Sequence, residues 1–195
     1  SGDLTMDSTS VINANENGFG YTGGGLRAYG TSTVETGAKI NIVDNKRNGM
    51  ENYGTFTMED GVQFTATGNN EPSTNGGGIY NGGTLTLPSK AIITNNYAEQ
   101  TGGGICNAGS VTIPQGVLLY NNHAGTAGDD LHNRDGATAE LIAVGDNWIL
   151  DDCNEAITGW YDDSEGNRWE AHTGPFHAVE YVVETTATVT GLRAA

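Results

Sequence analysis

Single apolar residues alternate with polar ones in short runs along most of the chain. The run from residue 84 to residue 87 reads Thr-Leu-Thr-Leu, and a proline at position 88 ends it. Alternation with a period of two is typical of strands that bury one face, whereas an amphipathic helix needs apolar residues three and four positions apart. Because no copy of the pattern has the helical spacing, the sequence predicts an all-β fold.

The alternating pattern repeats with a period of 26 residues. Segment 76–101 aligns without a gap on segment 102–127, and less regular copies lie upstream at 24–45 and 48–70. A partial copy begins at Gly128, and residues 3–17 match the later part of a copy. Short strands that repeat without helices between them bury their apolar face best when each turn stacks on the last. We therefore expect a parallel β-helix of about five turns.

Stacked turns place like residues about 4.8 Å apart, so the copies predict which residues form continuous columns. The four apolar columns are Leu26, Met50, Ile79, Ile105 and Leu131; Phe56, Leu85 and Val111; Val34, Met58, Leu87 and Ile113; and Ile40, Phe64, Ile93 and Leu119. Two columns of asparagine are expected to form amide ladders, Asn52, Asn81, Asn107 and Asn133 in one and Asn96 and Asn122 in the other. Glycine triplets at 23–25, 76–78 and 102–104 are expected at corners, where positive φ is needed.

Three recurring strings give the repeat a family resemblance. GGGIYN, TLTLP and the following ITNN or LYNN resemble the right-handed parallel β-helix repeats of bacterial surface proteins. These include the polymorphic outer-membrane family and large adhesins of gut Gram-positive bacteria. The chlamydial members pair Gly-Gly-Ala-Ile with Phe-x-x-Asn, and only the first half has a counterpart here. The resemblance covers residues 23–140 and implies a right-handed coil at the bacterial cell surface, either secreted or wall-anchored.

The repeat stops near Gly145, and residues 145–195 carry all three tryptophans. A bare β-helix end exposes its core and unpaired strands, so this segment is expected to form an aromatic-rich cap after the helix of residues 1–144, or to begin a following β module. The same side chains can instead bind a ligand. The candidate contact residues are Trp160, Tyr161, Asp162, Asp163 and Trp169 in this segment, with Tyr80 and Tyr120 on the coil.

The charge of the chain limits its partners. Acidic residues outnumber basic ones by 24 to 8, which gives a net charge of −16. Such a chain repels nucleic acid and anionic lipid, so neither is an expected partner. No apolar run approaches the ~18 residues of a membrane span, and the first residues lack the features of a signal peptide. We expect a monomeric fragment of a larger chain, with no membrane insertion in this part.

An enzyme that acts on polysaccharides is an alternative function, because lyases and polygalacturonases use this fold. Acid pairs occur at 129–130, 151–152 and 162–163, but the sequence shows no stacked arrangement of acids and bases across turns. The triplet at 76–78 also lacks the Lys-Ser/Thr of a phosphate-binding loop. No catalytic residue is therefore predicted, and the leading hypothesis is a non-catalytic binding or stalk module of a cell-surface adhesin that recognises a host glycan or host protein.

Metal and cysteine chemistry add little to this interpretation. The oxygen-rich stretch DDSEGN at 162–167 admits calcium but lacks the spacing of an EF-hand loop, and the four histidines have no zinc spacing. No cofactor or metal site is therefore predicted. Cys106 and Cys153 allow either one disulfide or two separate thiols.

Outward hydroxyls form a further regular feature of the repeat. They are Thr31 and Thr33, Thr55 and Thr57, Thr84 and Thr86, and Ser110 and Thr112. Alternation with buried residues places them in two parallel files on one solvent face. The files resemble those of β-helical ice-binding proteins, so ice binding is a third hypothesis, although threonine is also a favoured exposed strand residue.

Overall fold

The computed structural model of the chain describes residues 4–15, 24–140, 142–168, 178–179 and 190–195. These residues contain 22 strands and no helix. In chain order the strands are β1 (Leu4–Met6), β2 (Val11–Asn15), β3 (Leu26–Ala28), β4 (Thr31–Val34), β5 (Lys39–Val43), β6 (Met50–Asn52), β7 (Thr55–Met58), β8 (Gln63–Thr67), β9 (Asn70–Glu71), β10 (Ile79–Asn81), β11 (Thr84–Thr86), β12 (Ile92–Thr94), β13 (Tyr97–Ala98), β14 (Ile105–Asn107), β15 (Ser110–Thr112), β16 (Leu118–Tyr120), β17 (His123–Ala124), β18 (Leu131–Asn133), β19 (Thr138–Ala139), β20 (Trp160–Asp162), β21 (Ala178–Val179) and β22 (Gly191–Ala194).

The strands up to β19 build four sheets in which every pairing is parallel. The first sheet has the order β1-β4-β7-β11-β15-β19, the second β2-β5-β8-β12-β16, the third runs from β3 through β6, β10 and β14 to β18, and the fourth is β9-β13-β17. The chain visits the sheets in the same order on each turn, so it winds as a parallel β-solenoid of about five turns. Equivalent asparagines are 26 residues apart between β10 and β14 and 29 apart between β6 and β10. The all-β class and the parallel coil predicted from the sequence are confirmed.

Strand register confirms two apolar columns in full, confirms the pairing of Val34 with Met58 in the third, and corrects the fourth. Ile79 pairs with both Met50 and Ile105, and Leu85 pairs with both Phe56 and Val111. The prediction that Ile93 stacks on Phe64 is wrong, because Ile93 pairs with Ala66. Strand β8 has two inward residues, Phe64 and Ala66, and the sequence comparison matched Ile93 to the larger of the two.

The fourth sheet adds an element that the repeat pattern did not predict. The sequence indicates three extended pieces in each copy, whereas turns from β6 onward contain a fourth, two-residue strand. A two-residue strand is too short to show alternation, so period-two analysis cannot detect it.

Glycine is required at the corner before β10 for two different reasons. Gly76 has a φ of +77°, which residues with a side chain rarely adopt. A Cβ on Gly78 would lie 2.6 Å from the carbonyl oxygen of Gly104 on the next turn. The triplet at 76–78 therefore lets the backbone turn sharply and lets adjacent turns approach closely.

Two files of buried amides connect successive turns. In the first file, each Nδ2 donates to the next Oδ1 at 2.7–2.8 Å, from Asn52 through Asn81 and Asn107 to Asn133. In the second, the donors run from Asn45 through Asn69, Asn96 and Asn122 to the carboxylate of Asp130, at 2.8–2.9 Å. The sequence comparison had placed only Asn96 and Asn122 in this second file. Because every amide is buried, each hydrogen bond fixes the register of one turn on the next.

The segment after β19 packs against the last turn of the solenoid. Strand β22 pairs antiparallel with β18, and β20 pairs antiparallel with both β22 and β21. Trp148, Trp160 and Leu192 belong to the same buried apolar cluster as the solenoid columns. The aromatic-rich cap and the boundary between residues 144 and 145 stay predictions. No helix in the described part of the chain is long and apolar enough to cross a membrane.

Candidate functional site

A cavity of about 250 Å³ lies against the outer face of the third sheet, over β3, β6 and β10. We call it the tyrosine groove. Its charged and aromatic lining residues are Arg27, Arg47, Glu51, Tyr53, Glu71 and Tyr80. The volume is slightly below the ~300 Å³ at which small-molecule pockets begin, so the groove suits a small ligand or one unit of a polymer.

Strand register explains how these side chains meet. Arg27 pairs with Glu51, and Glu51 pairs with Tyr80, so the three occupy one column of the third sheet. Side chains alternate between the two faces of a strand, so the residues before and after this position face inward. The residue before it belongs to an apolar column, and on β6 and β10 the residue after it belongs to the first amide file. The segment that leads from β9 into β10 supplies Thr74 and Asn75 as a wall of the groove.

A second column, one residue beyond the amide file, supplies exposed rings. The rings of Tyr29 and Tyr53 stack with centroids 5.3 Å apart and planes at 14°, and the ring of Tyr80 lies 5.7 Å from that of Tyr53. Tyr29 and Tyr53 are 52% and 45% exposed, which is unusual for large aromatic residues, although their stacked rings cover one face of each other. Open aromatic faces next to polar groups are typical of sites that bind ligands.

Glu51 holds one side of the groove together. Both of its carboxylate oxygens accept from Arg27 Nη2, at 2.7 and 2.6 Å, and Oε2 also accepts from the Tyr53 hydroxyl at 2.9 Å. The Arg27 guanidinium carbon lies 5.9 Å from the centroid of the Tyr53 ring. Burial and then the hydrogen bond to Glu51 raise the pKa of Tyr53 to about 12, so its hydroxyl stays protonated and donates. The hydrogen bond to Glu51 likewise raises the pKa of Arg27.

Arg47 and Glu71 form the opposite side. Arg47 Nη1 donates to Ser73 Oγ at 3.1 Å and lies 3.5 Å from Glu71 Oε1. Glu71 Oε1 also accepts from the backbone N–H and the hydroxyl of Ser73. Arg47 Nε is buried and has no hydrogen-bond partner within the described residues. This nitrogen is therefore an unused donor at the groove wall.

Sequence analysis named Tyr80 and missed the other two rings, although a signal was available. Tyr29 and Tyr53 follow β3 and β6 at equivalent positions, as Ala28-Tyr29-Gly30 and Asn52-Tyr53-Gly54. The next copies carry Gly82 and Ala108 there. A Cβ on Gly82 would lie 3.3 Å from Tyr53 Cδ1, so the small residue leaves space for the ring.

The other sequence candidates lie elsewhere and do not line the groove. Trp160 is 3% exposed, and its indole Nε1 donates to the carbonyl of Ile142 at 2.7 Å, so its side chain faces the protein interior. Tyr161 and Asp162 are half-buried, and Asp162 Oδ1 accepts from the backbone N–H of Ser164 in a turn. Tyr120 is half-buried and stacks on Trp148, with centroids 4.9 Å apart. Trp169 lies outside the described residues.

Asp163 belongs to a buried ionic network between the last turn and the C-terminal segment. Its Oδ2 accepts from the backbone N–H of Asp129 at 2.7 Å, and the Asp129 carboxylate is paired with Arg168 at 2.7 Å and Arg193 at 3.2 Å. Burial, followed by the charge of Asp129, raises the pKa of Asp163 to about 6, and burial raises that of Asp130 to about 7. These carboxylates hold the structure together, and their position gives no ligand access.

Metal and thiol chemistry do not mark another site in the described part of the chain. No three His, Cys, Asp or Glu side chains come together there to hold a metal ion. Cys106 is a buried free thiol and Cys153 a half-buried one. His123 contacts Asp151 at 3.2 Å on the surface, and His132 is half-buried, while His172 and His177 lie outside the described residues.

A second cavity, of about 540 Å³, lies on the outer face of the second sheet. Its lining includes Gln63, Thr65, Lys90 and Ile92, without an exposed aromatic ring. It lacks the close arrangement of rings, guanidinium groups and carboxylates found in the smaller groove. The tyrosine groove is therefore the candidate functional site.

The fold and the groove together define a parallel β-solenoid with tyrosines and ion pairs on one outer face. Comparison with protein-family models, with curated proteins and with solved structures finds no match to this chain. Its function must therefore be inferred from its own geometry.

Proposed function

We propose that this chain is a non-catalytic binding module of a bacterial cell-surface adhesin, and that it holds a host glycan in the tyrosine groove. The observation that carries the proposal is the arrangement of Tyr53 and Tyr80 beside Arg27 and Glu51 in one cavity. A sugar has an apolar face that stacks on aromatic rings and hydroxyl groups that exchange hydrogen bonds with charged side chains.

The state of the groove carboxylates favours binding over hydrolysis or elimination. Glu51 accepts hydrogen bonds from Arg27 and Tyr53, and Glu71 from Ser73. A general base needs an oxygen that can reach a substrate proton, and these carboxylates are already engaged by the protein. In this proposal the solenoid is a rigid scaffold for recognition. It acts outside the cell and uses no cofactor.

The proposal is tested by a glycan and host-protein array probed with the whole chain. We expect saturable binding to a glycan, and Tyr53→Ala is expected to lower the affinity about tenfold or more, as truncation of a central aromatic contact does. Tyr97→Ala is the matched control, because Tyr97 is a half-buried tyrosine on β13 that does not line the groove. Binding to host proteins alone, or a loss equal in both variants, would contradict the proposal.

Ice binding is a second candidate because the register of the first sheet lengthens both hydroxyl files. Thr31, Thr55, Thr84, Ser110 and Thr138 pair in succession, and Thr5, Thr33, Thr57, Thr86 and Thr112 do the same. Thermal hysteresis in the presence of ice measures this activity. Hysteresis that disappears in Thr57→Tyr and persists in Tyr53→Ala would favour ice over a glycan.

A further inference from the structure

The hydrogen-bonding groups of the tyrosine groove are unevenly used. Arg27 donates only through Nη2 within the described part of the chain, which leaves Nε and Nη1 for a ligand. Arg47 likewise has its buried Nε without a partner among the described residues. The groove therefore offers free guanidinium N–H donors on Arg27, whereas Arg47 Nε is enclosed by protein.

The protein already uses part of the acceptor capacity of the groove. Glu51 takes hydrogen bonds from Arg27 and Tyr53 on its two oxygens. Asn75 Oδ1, on the wall of the groove, accepts from both the backbone N–H and the hydroxyl of Thr101. The free N–H groups of Arg27 suit a ligand that supplies acceptors.

The charge distribution points in the same direction. The chain carries 8 basic residues against 24 acidic ones, yet two of its arginines line this one cavity. A guanidinium group presents a planar fork of N–H donors that matches the two oxygens of a carboxylate. Glu51 and Glu71 line the same cavity, so its lining carries no formal net charge, and in a chain this acidic it is a place where an anion meets little repulsion.

We infer that the tyrosine groove binds a saccharide unit that carries a carboxylate, such as a uronic acid residue within a glycan. Arg27 binds the carboxylate through its free N–H groups, the positive charge of Arg47 lies in the same cavity, and the exposed part of the Tyr53 ring packs against the sugar. The inference rests on the proposed function and adds the chemical class of the ligand to it.

The test compares two forms of one oligosaccharide by calorimetric titration at constant ionic strength. A galacturonate trisaccharide is the acidic probe, and its fully methyl-esterified form has the same backbone without the charge. We expect the acid to bind roughly tenfold or more tightly, because hydrogen bonds to charged groups are the stronger ones. Arg47→Gln is expected to remove most of this difference, measured as the ratio of the affinities for the acid and the ester.

Two further variants control for fold and for net charge. Arg47→Lys keeps the charge without the planar fork, so it is expected to give an affinity for the acid between those of the parent and Arg47→Gln. Arg134→Gln removes the same charge outside the groove lining and is expected to leave both affinities unchanged. Thermal unfolding verifies that each variant is folded.

The outcomes separate the inference from the proposed function. If the acid and the ester bind with equal affinity, and Tyr53→Ala weakens both, the inference is overturned and the glycan-binding function stands. Equal loss in Arg47→Gln and Arg134→Gln would also overturn it, because net charge alone would then explain the effect. Absence of binding by either probe and by every glycan of the array would overturn both.

Discussion

Glu51 shows how a single outward position of a repeat can carry different chemistry on successive turns. In the same column the sequence has Arg27 one turn earlier and Tyr80 one turn later. Stacking brings a cation, an anion and a ring together without any distortion of the backbone, because register alone sets their spacing. A groove that depends on register needs only a few substitutions in an otherwise regular coil.

Asp130 provides a residue-scale prediction about pH. Burial raises the pKa of Asp130 to about 7, against the value of 3.8 from which it is shifted. Between about pH 4 and pH 7 the folded chain therefore holds a proton that the unfolded chain has released, and stability falls as pH rises through this range. Asp130→Asn removes this titration and is expected to reduce the loss of unfolding free energy between pH 5 and pH 8 by on the order of 2 kcal/mol.

The measurement is urea unfolding at several pH values. In Asp130→Asn, part of the fall of unfolding free energy with pH is expected to remain, because the pKa of Asp163 is also raised, to about 6. Asp146→Asn, at an exposed carboxylate, is the matched control and should leave the slope unchanged. A slope in Asp130→Asn as steep as in the parent would show that this buried group does not titrate in the range.

The amide files make the strands act as one element across turns. Asn81 receives a hydrogen bond from Asn52 and donates to Asn107, and all three are fully buried. Asn81→Ala removes both amide hydrogen bonds and the one that its Nδ2 donates to the Ser110 carbonyl, so we expect a loss of about 2–4 kcal/mol in unfolding free energy. Asn13→Ala, at an exposed asparagine that accepts from Asn41, should cost less than about 1 kcal/mol. Equal losses in the two variants would contradict the role of the buried file.

Sequence predicted the apolar columns that repeat, and it missed the two-residue strands of the fourth sheet and most of the groove. The apolar columns through Leu85 and Ile79 were predictable because identical chemistry recurs at each turn. The pairing of Ile93 with Ala66 was not, because either of two inward residues of β8 fits the pattern. The groove was predicted only through Tyr80, since the ion pairs that complete it come from residues that differ between copies.

At the scale of the whole molecule, the C-terminal segment completes the buried cluster of the last turn. Trp160 lies within this cluster, edge-on to Trp148 at 6.5 Å between ring centroids. Trp160→Ala is expected to lower the unfolding free energy by about 3–5 kcal/mol, the usual cost of removing a large buried aromatic side chain. Tyr161→Ala on the same strand, at a half-buried residue, is the comparison and should cost less.

Denaturant unfolding and glycan titration of the same variants decide what Trp160 does. Retained glycan affinity in a destabilised but folded Trp160→Ala protein would agree with an interior role. Unchanged stability together with lost binding would instead make Trp160 a ligand contact and contradict the groove as the site.

The central claim is that the tyrosine groove is where the molecule meets a glycan. A crystal structure of the chain with the strongest glycan of the array tests it most directly. The account predicts a sugar ring over Tyr53, with a carboxylate within hydrogen-bonding distance of Arg27 or Arg47. A sugar bound at the threonine files or at the C-terminal segment, with the groove empty, would contradict it.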